Sequence, residues 1–416
     1  RYNPLHSFRK GIQMQHATSS HPNLIVGQSG GPTAVINASL VGVVDAAVAA
    51  GIRGVYGMRG GVQGALEGAL IDLAGQSPAV LASLRQTPAA ALGSCRYKLR
   101  PSDPEQIIDL CRHHDVGYFV YIGGNDSADT SHRIARAAQN SGYDLRVVGV
   151  PKTIDNDLPI TDHCPGYGSI ARFLALATRD AGLDTESMRR VDPIKLIEVQ
   201  GRNAGWIAAS TALGKRDDRD APHLVYVPER RVDLDTVLRE VEATYRRIGY
   251  CVIVVSETLR DPSGQPLGSD EAEVDAFGHR RVAGAAQFLA GRITRQLGVR
   301  ARFDKPGTIA RMSIALASPV DLAEAYQVGQ AAVTALMRDE TDKMVTLVRE
   351  QDNPYQCITG LAPLTDIANS EKLLPKEFLS ADGRMVTDAF RAYAEPLIGE
   401  PVPGSTRLAD IPVRRG

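Results

Sequence analysis

The sequence has few cysteines and no surplus of charge, and each shortage excludes a class of protein. It contains five cysteines, none in a CxxC pair and none at zinc-ligand spacing from a histidine. This pattern predicts reduced thiols and a cytoplasmic protein rather than a secreted, disulfide-bonded one. Lysine and arginine total 47 against 48 acidic residues, and this balance excludes a broad basic surface for nucleic acid.

Long hydrophobic runs are also missing. The longest apolar runs, such as 118–122 and 252–255, are only as long as β-strands, well short of the ~18 residues that a membrane-spanning helix needs. The start of the chain is mixed polar and basic and lacks the apolar stretch of a signal peptide. The sequence therefore predicts a protein without a membrane partner.

A unit of apolar strand, glycine-rich turn and helix recurs along the chain. We predict strands over 23–27, 116–122, 145–150, 194–200 and 251–256, and helices over 34–50, 127–140 and 203–212. Alternation of this kind is typical of parallel strands joined by helical crossovers, in which ligands bind at the carboxyl ends of the strands. The fold class predicted is α/β, with parallel-rich sheets flanked by helices.

The length of 416 residues favours two domains, at about 150 residues per domain. We divide the chain into an N-terminal extension (1–22), two α/β domains (23–190 and 191–350) and a C-terminal extension (351–416). The boundary is approximate, and the late chain can return to the first domain. Residues 261–277 are polar and predicted to form a surface loop, and the proline-containing segment after 351 is predicted to pack over the surface.

Two Gly-Gly turns follow apolar strands, at Gly30-Gly31 and Gly123-Gly124. Glycine allows the backbone to approach an anion closely, and the helix that follows offers free N–H groups. A third turn of small residues, 93–96, ends in Arg96, whose guanidinium can bind phosphate. Tight structural turns and a solvated arginine are the alternative interpretation, and neither turn is a P-loop.

The segment 151–157, Pro-Lys-Thr-Ile-Asp-Asn-Asp, has the highest density of reactive groups and directly follows a predicted strand. As a catalytic loop, it would let a carboxylate take a proton from a hydroxyl while a lysine neutralises a transferred phosphoryl group. The alternative is an Asp/Asn/Pro loop that only makes its own turn hydrogen bonds.

These segments together resemble the phosphofructokinase family. The motifs QSGGP, GGNDS, PKTIDND, EVQGR, SET and PGTIAR occur in the order of that family and span Gly27 to Arg311. The resemblance implies a two-domain phosphofructokinase-like fold with the active site in the cleft between a donor-binding domain (23–190) and a sugar-phosphate-binding domain (191–350). It also implies transfer of a phosphoryl group to O1 of fructose 6-phosphate.

The resemblance assigns roles to individual residues. Asp155 would be the general base, and Lys152, Asp126 and Arg202 would complete the catalytic set. Donor phosphates would be bound by Gly30, Gly31, Arg96 and Gly124. The sugar phosphate would contact Thr153, Asp155, Asp157, Gln200, Gly201, Arg202, Glu257, Arg302 and Arg311. One of those arginines can come from a neighbouring subunit in family members, which implies a homodimer or homotetramer.

Two positions indicate pyrophosphate as the donor. ATP-using family members have glycine where this chain has Asp126 and Lys152. A carboxylate at Asp126 would repel an α-phosphate, and pyrophosphate ends before that point. Lys152 would then supply positive charge to the leaving phosphate.

Three positions depart from the family pattern. Asn125 stands where an aspartate usually helps to hold Mg²⁺, so the predicted metal ligands Asn125 and Asp126 carry less charge than usual. Thr308 replaces a common histidine, and Pro193 replaces an arginine, for which Lys195, Arg189 and Arg190 are the candidate substitutes.

Other functions stay open at this point. One is an ATP-dependent 6-phosphofructokinase, which Asp126 and Lys152 argue against. Another is a pyrophosphate-dependent kinase of a different sugar phosphate, such as sedoheptulose 7-phosphate. The third is a catalytically silent regulatory subunit, which would be expected to lose Asp155 or Lys152.

Overall fold

The computed structural model of the chain describes residues 21–267 and 284–413, and the backbone of 273–274 and 280–281. All but the last two residues of the predicted N-terminal extension lie outside the described residues. So does most of the second half of the predicted surface loop at 261–277.

Seven of the described strands form one sheet, in the spatial order β13-β12-β5-β4-β1-β2-β3. Their bounds are β1 Asn23–Gln28, β2 Val55–Met58, β3 Leu70–Asp72, β4 Val116–Gly123, β5 Arg146–Pro151, β12 Lys343–Asp352 and β13 Tyr355–Pro363. The strands from β12 to β2 are parallel, and β3 and β13 run antiparallel at the two edges.

A second, smaller sheet contains four parallel strands in the order β11-β6-β8-β7. Their bounds are β6 Ile194–Val199, β7 Leu224–Tyr226, β8 Cys251–Ser256 and β11 Ala301–Asp304. Two short strands, β9 Glu273–Val274 and β10 Arg280–Arg281, form a separate antiparallel pair.

Helices connect and cover the strands. Those of the first half are α1 Ile36–Ala49, α2 Gly61–Leu66, α3 Pro78–Leu84, α4 Asp103–His113, α5 Asn125–Asn140 and α6 Tyr167–Ser187. The rest are α7 Trp206–Ser210, α8 Leu234–Ile248, α9 Ala285–Leu297, α10 Thr308–Met312, α11 Pro319–Leu336, α12 Leu364–Ile367 and α13 Asp388–Ala394. None of the helices in the described ranges is both long and apolar enough to span a membrane.

The predicted alternation of strands and helices is confirmed, because each predicted strand is present to within a residue or two. Strands β4 and β8 are buried along their whole length, as continuous apolar runs in parallel sheets are. The helix predicted over 203–212 is shorter, covering Trp206–Ser210 before a 3₁₀ turn at Thr211–Gly214. The two parallel-rich sheets with their helices confirm the α/β class.

The late chain returns to the first sheet. Helix α11 packs so closely on α1 that a Cβ at Gly42 would lie 2.2 Å from the Tyr326 carbonyl oxygen, and one at Gly329 would lie 2.1 Å from that of Ser39. The segment after 351 goes deeper than the predicted surface packing. It adds β13 to the sheet and buries Phe390 in the core beneath the second sheet.

Candidate active site

The carboxyl ends of strands from both sheets open into one cleft of about 790 Å³. It is bordered by most of the predicted site residues: Gly30, Gly31, Arg96, Gly124, Asn125, Asp126, Lys152, Thr153, Asp155, Asp157, Gln200, Arg202, Glu257 and Arg311. Gly201 and Arg302 are not among the residues that line it. The topology explains the gathering, because parallel strands bring the turns that follow them to the same edge.

The first glycine turn, after β1, is held against the turn that carries Arg96. Gly30 has φ +73°, a backbone conformation that favours glycine. Its N–H donates to the Cys95 carbonyl (3.0 Å), and its own carbonyl accepts from Ser94 Oγ (2.6 Å). Two hydrogen bonds, spanning 64 and 65 residues of sequence, thus hold Gly30 next to the turn that ends in Arg96.

The second glycine turn leads into α5, which begins at Asn125 rather than at the predicted 127. Asn125 and Asp126 therefore lie in the first helical turn, where the free N–H groups and the positive end of the helix dipole favour anions. Asp126 is exposed to the cleft. The Asn125 Oδ1 atom is buried and has no hydrogen-bond partner, so an oxygen ligand is available there.

Lys152 joins the two turns. Its Nζ donates to the Gly31 carbonyl (3.0 Å), and its backbone N–H donates to the Gly123 carbonyl (3.1 Å). Burial lowers the pKa of the Lys152 ammonium to about 8, although the Asp155 and Asp157 carboxylates oppose that shift. The lysine places its charge where a phosphate held by the first turn would lie.

The loop after β5 alternates in burial. Lys152, Ile154 and Asn156 are buried, whereas Thr153, Asp155 and Asp157 are partly exposed and line the cleft. Asn156 takes φ +55°, which asparagine tolerates better than most residues, and its Oδ1 accepts from the Cys164 N–H (3.0 Å). This alternation presents three polar side chains to one side.

Two carboxylates of this loop have raised pKa values. Burial raises the pKa of Asp155 to about 7, and the neighbouring Asp157 and Glu257 carboxylates add to the shift. Burial also raises the pKa of Asp157, against the hydrogen bond from Thr153. A carboxylate that titrates near neutral pH is suited to accept a proton from a hydroxyl.

The second sheet supplies side chains to the opposite wall. Gln200 and Arg202 follow β6, and Glu257 follows β8, with its N–H bonded to the Val199 carbonyl (2.9 Å). Between the first two, Gly201 has φ +112°, which turns the chain sharply so that both neighbours can line the cleft. The buried Gln200 Oε1 has no hydrogen-bond partner.

Arg302 and Arg311, two of the arginines predicted to contact the sugar phosphate, lie apart within one chain. Arg311 lies against the first glycine turn, where a Cβ at Gly31 would be 3.1 Å from an Arg311 guanidinium nitrogen. Arg302 lies on the edge strand β11, where it pairs with Asp192 (2.8 Å) and 47% of its side chain is exposed. Lys195, one substitute suggested for the missing arginine, pairs with Asp304 (2.9 Å).

Several residues at the cleft were not identified from the sequence. Tyr97 and Lys98 directly follow Arg96, so the turn that drew attention to Arg96 could have identified them. Asn369 and Glu371 come from the C-terminal segment, where no motif or period marks them.

The arrangement can perform phosphoryl chemistry. One end offers two glycine turns, a helix N-terminus and the cations of Arg96, Lys152 and Arg311 to an anion. The other offers carboxylates that can accept a proton or bind hydroxyl groups. In the described part of the chain, no group of three or more His, Cys, Asp or Glu side chains is gathered for a metal ion.

Comparison with known sequences agrees with this chemistry. The phosphofructokinase family profile matches residues 23–336. A pyrophosphate–fructose 6-phosphate 1-phosphotransferase of Halomonas elongata is 44% identical over 390 residues, which cover 92% of this chain and 93% of the relative. A protein of the same name from Xanthomonas campestris is 41% identical over 382 residues, covering 90% and 91%.

Comparison with solved structures also finds a phosphofructokinase with the same fold. The crystal structure of a pyrophosphate-dependent phosphofructokinase from Marinobacter aquaeolei matches this fold with a TM-score of 0.84. The two chains are 36% identical, and the match covers 95% of this chain and 99% of that one.

Proposed function

Because this chain belongs to the phosphofructokinase family, we propose that it transfers a phosphoryl group from pyrophosphate to O1 of fructose 6-phosphate. The resemblance drawn from the sequence motifs is confirmed by the family match. One observation carries the proposed chemistry. Lys152 binds the first glycine turn, and three residues later Asp155 faces the same cleft with a pKa near neutral.

In the proposed reaction, the Asp155 carboxylate takes the proton from the O1 hydroxyl as O1 attacks the near phosphorus of pyrophosphate. The O1–P bond forms while the bond to the bridging oxygen breaks, and phosphate leaves from the side of Lys152. Lys152 and Arg202 balance the charge on the transferred group and the leaving group. The reverse reaction would use the same groups, and reversible transfer is part of the proposal.

Donor choice is assigned to Asp126 and Lys152. Asp126 is exposed in the first turn of α5, directly beyond the second glycine turn that would hold the donor. Its carboxylate would repel the α-phosphate of a nucleotide, and the same repulsion does not reach pyrophosphate. Lys152 would supply positive charge to the phosphate that leaves from pyrophosphate.

Mg²⁺ fits the residues present. The partnerless Asn125 Oδ1 and the Asp126 carboxylate are the two oxygen ligands that the protein would offer, with phosphate oxygens and water completing the shell. When bound, the metal would neutralise part of the negative charge on the phosphoryl group during its transfer.

The acceptor is assigned to the loop after β5 together with the wall formed by the second sheet. Thr153 and Asp157 of that loop and Gln200, Gly201, Arg202 and Glu257 of the second sheet would contact the sugar. Arg311, whose guanidinium lies beside Gly31 in the free chain, would bind the 6-phosphate. Arg302 would reach a 6-phosphate in a second copy of the chain, because it is exposed on an edge strand outside its own cleft. We accordingly propose a homodimer or homotetramer in the cytoplasm.

The domain division also stays part of the proposal. Residues 23–190 would bind the donor and 191–350 the sugar phosphate, with 1–22 and 351–416 as extensions and the late chain returning to the first sheet.

The direct test is a coupled aldolase assay with fructose 6-phosphate and Mg²⁺, run in parallel with pyrophosphate and with ATP. Turnover with pyrophosphate alone supports both the reaction and the donor assignment. Turnover with ATP alone would overturn the role of Asp126 and Lys152. If neither donor supports turnover of fructose 6-phosphate, sedoheptulose 7-phosphate would be assayed as the acceptor. No turnover with that acceptor either would favour a regulatory subunit.

A further inference from the structure

Two residues of the C-terminal segment, Lys372 and Tyr393, hydrogen-bond to the active-site loop, and Lys372 alone of the two also contacts Asp157 and Thr161. Lys372 lies beyond residue 336, where the family match ends, and follows Glu371 at the border of the cleft. No sequence motif draws attention to it. Its contacts nevertheless connect the loop that carries Asp155 to the opposite wall of the cleft.

On the loop side, Lys372 makes three hydrogen bonds. Its backbone N–H donates to the Asp157 carbonyl (2.7 Å), and its Nζ donates to the carbonyls of Thr161 (3.0 Å) and Asp162 (2.8 Å). The two ends of the segment 157–162 are thereby held by one residue. Backbone carbonyls in a loop of this kind otherwise need water or another partner.

On the other side, Lys372 contacts α7. The indole Nε1 of Trp206 donates to the Lys372 carbonyl (2.9 Å), and the Lys372 ammonium lies 5.1 Å from the centre of the same ring. Arg202 lies in the turn that follows β6, and Trp206, four residues later, is the first residue of α7. Lys372 therefore lies between the loop of Asp155 and the turn of Arg202.

Neighbouring contacts strengthen the same connection. The Asn203 amide donates to both oxygens of Glu371 (2.8 and 3.1 Å). The Glu229 carboxylate accepts from the N–H groups of Gly205 and Leu374, both at 2.8 Å. The segment 371–374 is thus fastened to the second sheet on both flanks of Lys372.

The charge on Lys372 is partly buried, and burial lowers the pKa of its ammonium, although Asp162 and Asp157 favour the charged form. A lysine that only filled space here would be replaceable by an apolar side chain of similar length. Its donors to two loop carbonyls instead indicate a role that depends on the hydrogen bonds.

We propose that Lys372 is a positioning residue, which fixes the loop 155–162 against the turn after β6 and so sets Asp155 relative to Arg202. This inference rests on the proposed function, because the geometry matters only if these two groups act on one phosphoryl transfer. Lys372 is not among the residues that line the cleft, so it would contact neither substrate. Donor binding should be independent of it, because its hydrogen bonds reach neither glycine turn nor Arg96 nor Lys152.

The test compares the full-length wild type with Lys372→Met, Lys372→Arg and the surface control Lys376→Met. Lys372→Met is expected to lower kcat about 100-fold, the loss that a displacement of about 1 Å can cause, while KM for pyrophosphate changes less than threefold. Lys372→Arg keeps the donors and should recover at least a tenth of wild-type kcat. Lys376→Met, at an exposed position in the same segment, should match the wild type.

A second readout does not depend on catalysis. Trp206 is the single tryptophan of the chain, so its emission reports directly on the contact with Lys372. Emission is expected to shift in Lys372→Met and to stay unchanged in Lys376→Met. If Lys372→Met does not fold, Trp206→Phe removes one anchor of Lys372 and should lower kcat about tenfold, again with little change in KM for pyrophosphate.

The outcomes separate two failures. A wild type without pyrophosphate turnover would overturn the proposed function. An active wild type together with a folded Lys372→Met whose kcat is within threefold of it would overturn the role of Lys372 alone. A Lys372→Met variant with a raised KM for pyrophosphate and an unchanged kcat would also overturn the role of Lys372. That pattern indicates lost donor binding rather than lost positioning.

Discussion

The donor end of the cleft is built mainly from backbone, and the acceptor end mainly from side chains. At the donor end, Gly30, Gly31 and Gly124 bring bare peptide groups to the surface, and cations approach from distant segments. At the acceptor end, the Asp157 and Glu257 carboxylates lie near enough to Asp155 to add to the rise in its pKa. The difference suits the substrates, because backbone N–H groups bind anions whereas carboxylates accept hydrogen bonds from hydroxyls.

Two aspartates illustrate what the surroundings do to one residue type. Asp126 is exposed in a first helical turn, whereas Asp155 is buried enough beside two other carboxylates to have a pKa of about 7. The first can act as a fixed repulsive charge, and the second can take up and release a proton. The following predictions test this division of roles.

The largest effect is expected at the acceptor end. Asp155→Asn should lower kcat at least about 100-fold, because an amide cannot take the O1 proton. KM for pyrophosphate should hardly change, since the donor end is intact. The coupled aldolase assay measures both, and the surface variant Asp144→Asn serves as the control. Near-normal turnover in Asp155→Asn would disprove the assignment of the base.

The next effect concerns donor choice. Changing both Asp126 and Lys152 to glycine should raise the ratio of kcat/KM for ATP to that for pyrophosphate about 30-fold, because the repulsion of the α-phosphate and the charge on the leaving phosphate are both lost. Steady-state assays with the two donors give the ratio. Asp126→Asn, which keeps the size but removes the charge, separates repulsion from crowding. If the ratio of kcat/KM for ATP to that for pyrophosphate did not change in the double variant, Asp126 and Lys152 would not determine donor choice.

A smaller effect is expected for the metal. Asn125→Ala should raise the Mg²⁺ concentration for half-maximal turnover about tenfold, because a buried amide oxygen without a partner is lost. Asn125→Asp should lower it, since a carboxylate adds charge. Asn140→Ala, at the exposed far end of the same helix, is the matched control. Equal Mg²⁺ dependence in all variants would remove Asn125 from the metal site.

The smallest effect is on stability. The native pKa of Asp155, about 7, lies above its ordinary value of 3.8, so the folded state holds the proton more tightly than the unfolded state. Ionisation then costs stability progressively between pH 4 and 7 and leaves the full cost above pH 7. Asp155→Asn avoids this cost, and its Tm should exceed that of the wild type by about 2 °C or more at pH 8, with a smaller gain at pH 5. Thermal unfolding at both pH values checks this, and an equal gain at both would contradict it.

Much of the site could be predicted because its parts are short and local. The strand–glycine–helix units and the loop 151–157 were each identified from a few neighbouring residues, and the structure brings most of them to one cleft. Arg302 differs, because it lies on the edge strand β11, outside the cleft, with 47% of its side chain exposed. Lys372 had no local signal at all.

The sequence by itself indicated five of the described strands, three of the helices and the positions of the glycine turns, because backbone preferences act over a few residues. The tertiary structure alone decided which distant groups meet. Gly30 and Ser94 are 64 residues apart, and Lys372 and Thr161 are 211 residues apart, yet each pair shares a hydrogen bond. The pKa of Asp155 likewise depends on burial and on Glu257, which folding brings near it from a different sheet. Such contacts and pKa values arise only when packing removes water from between separate segments of the chain.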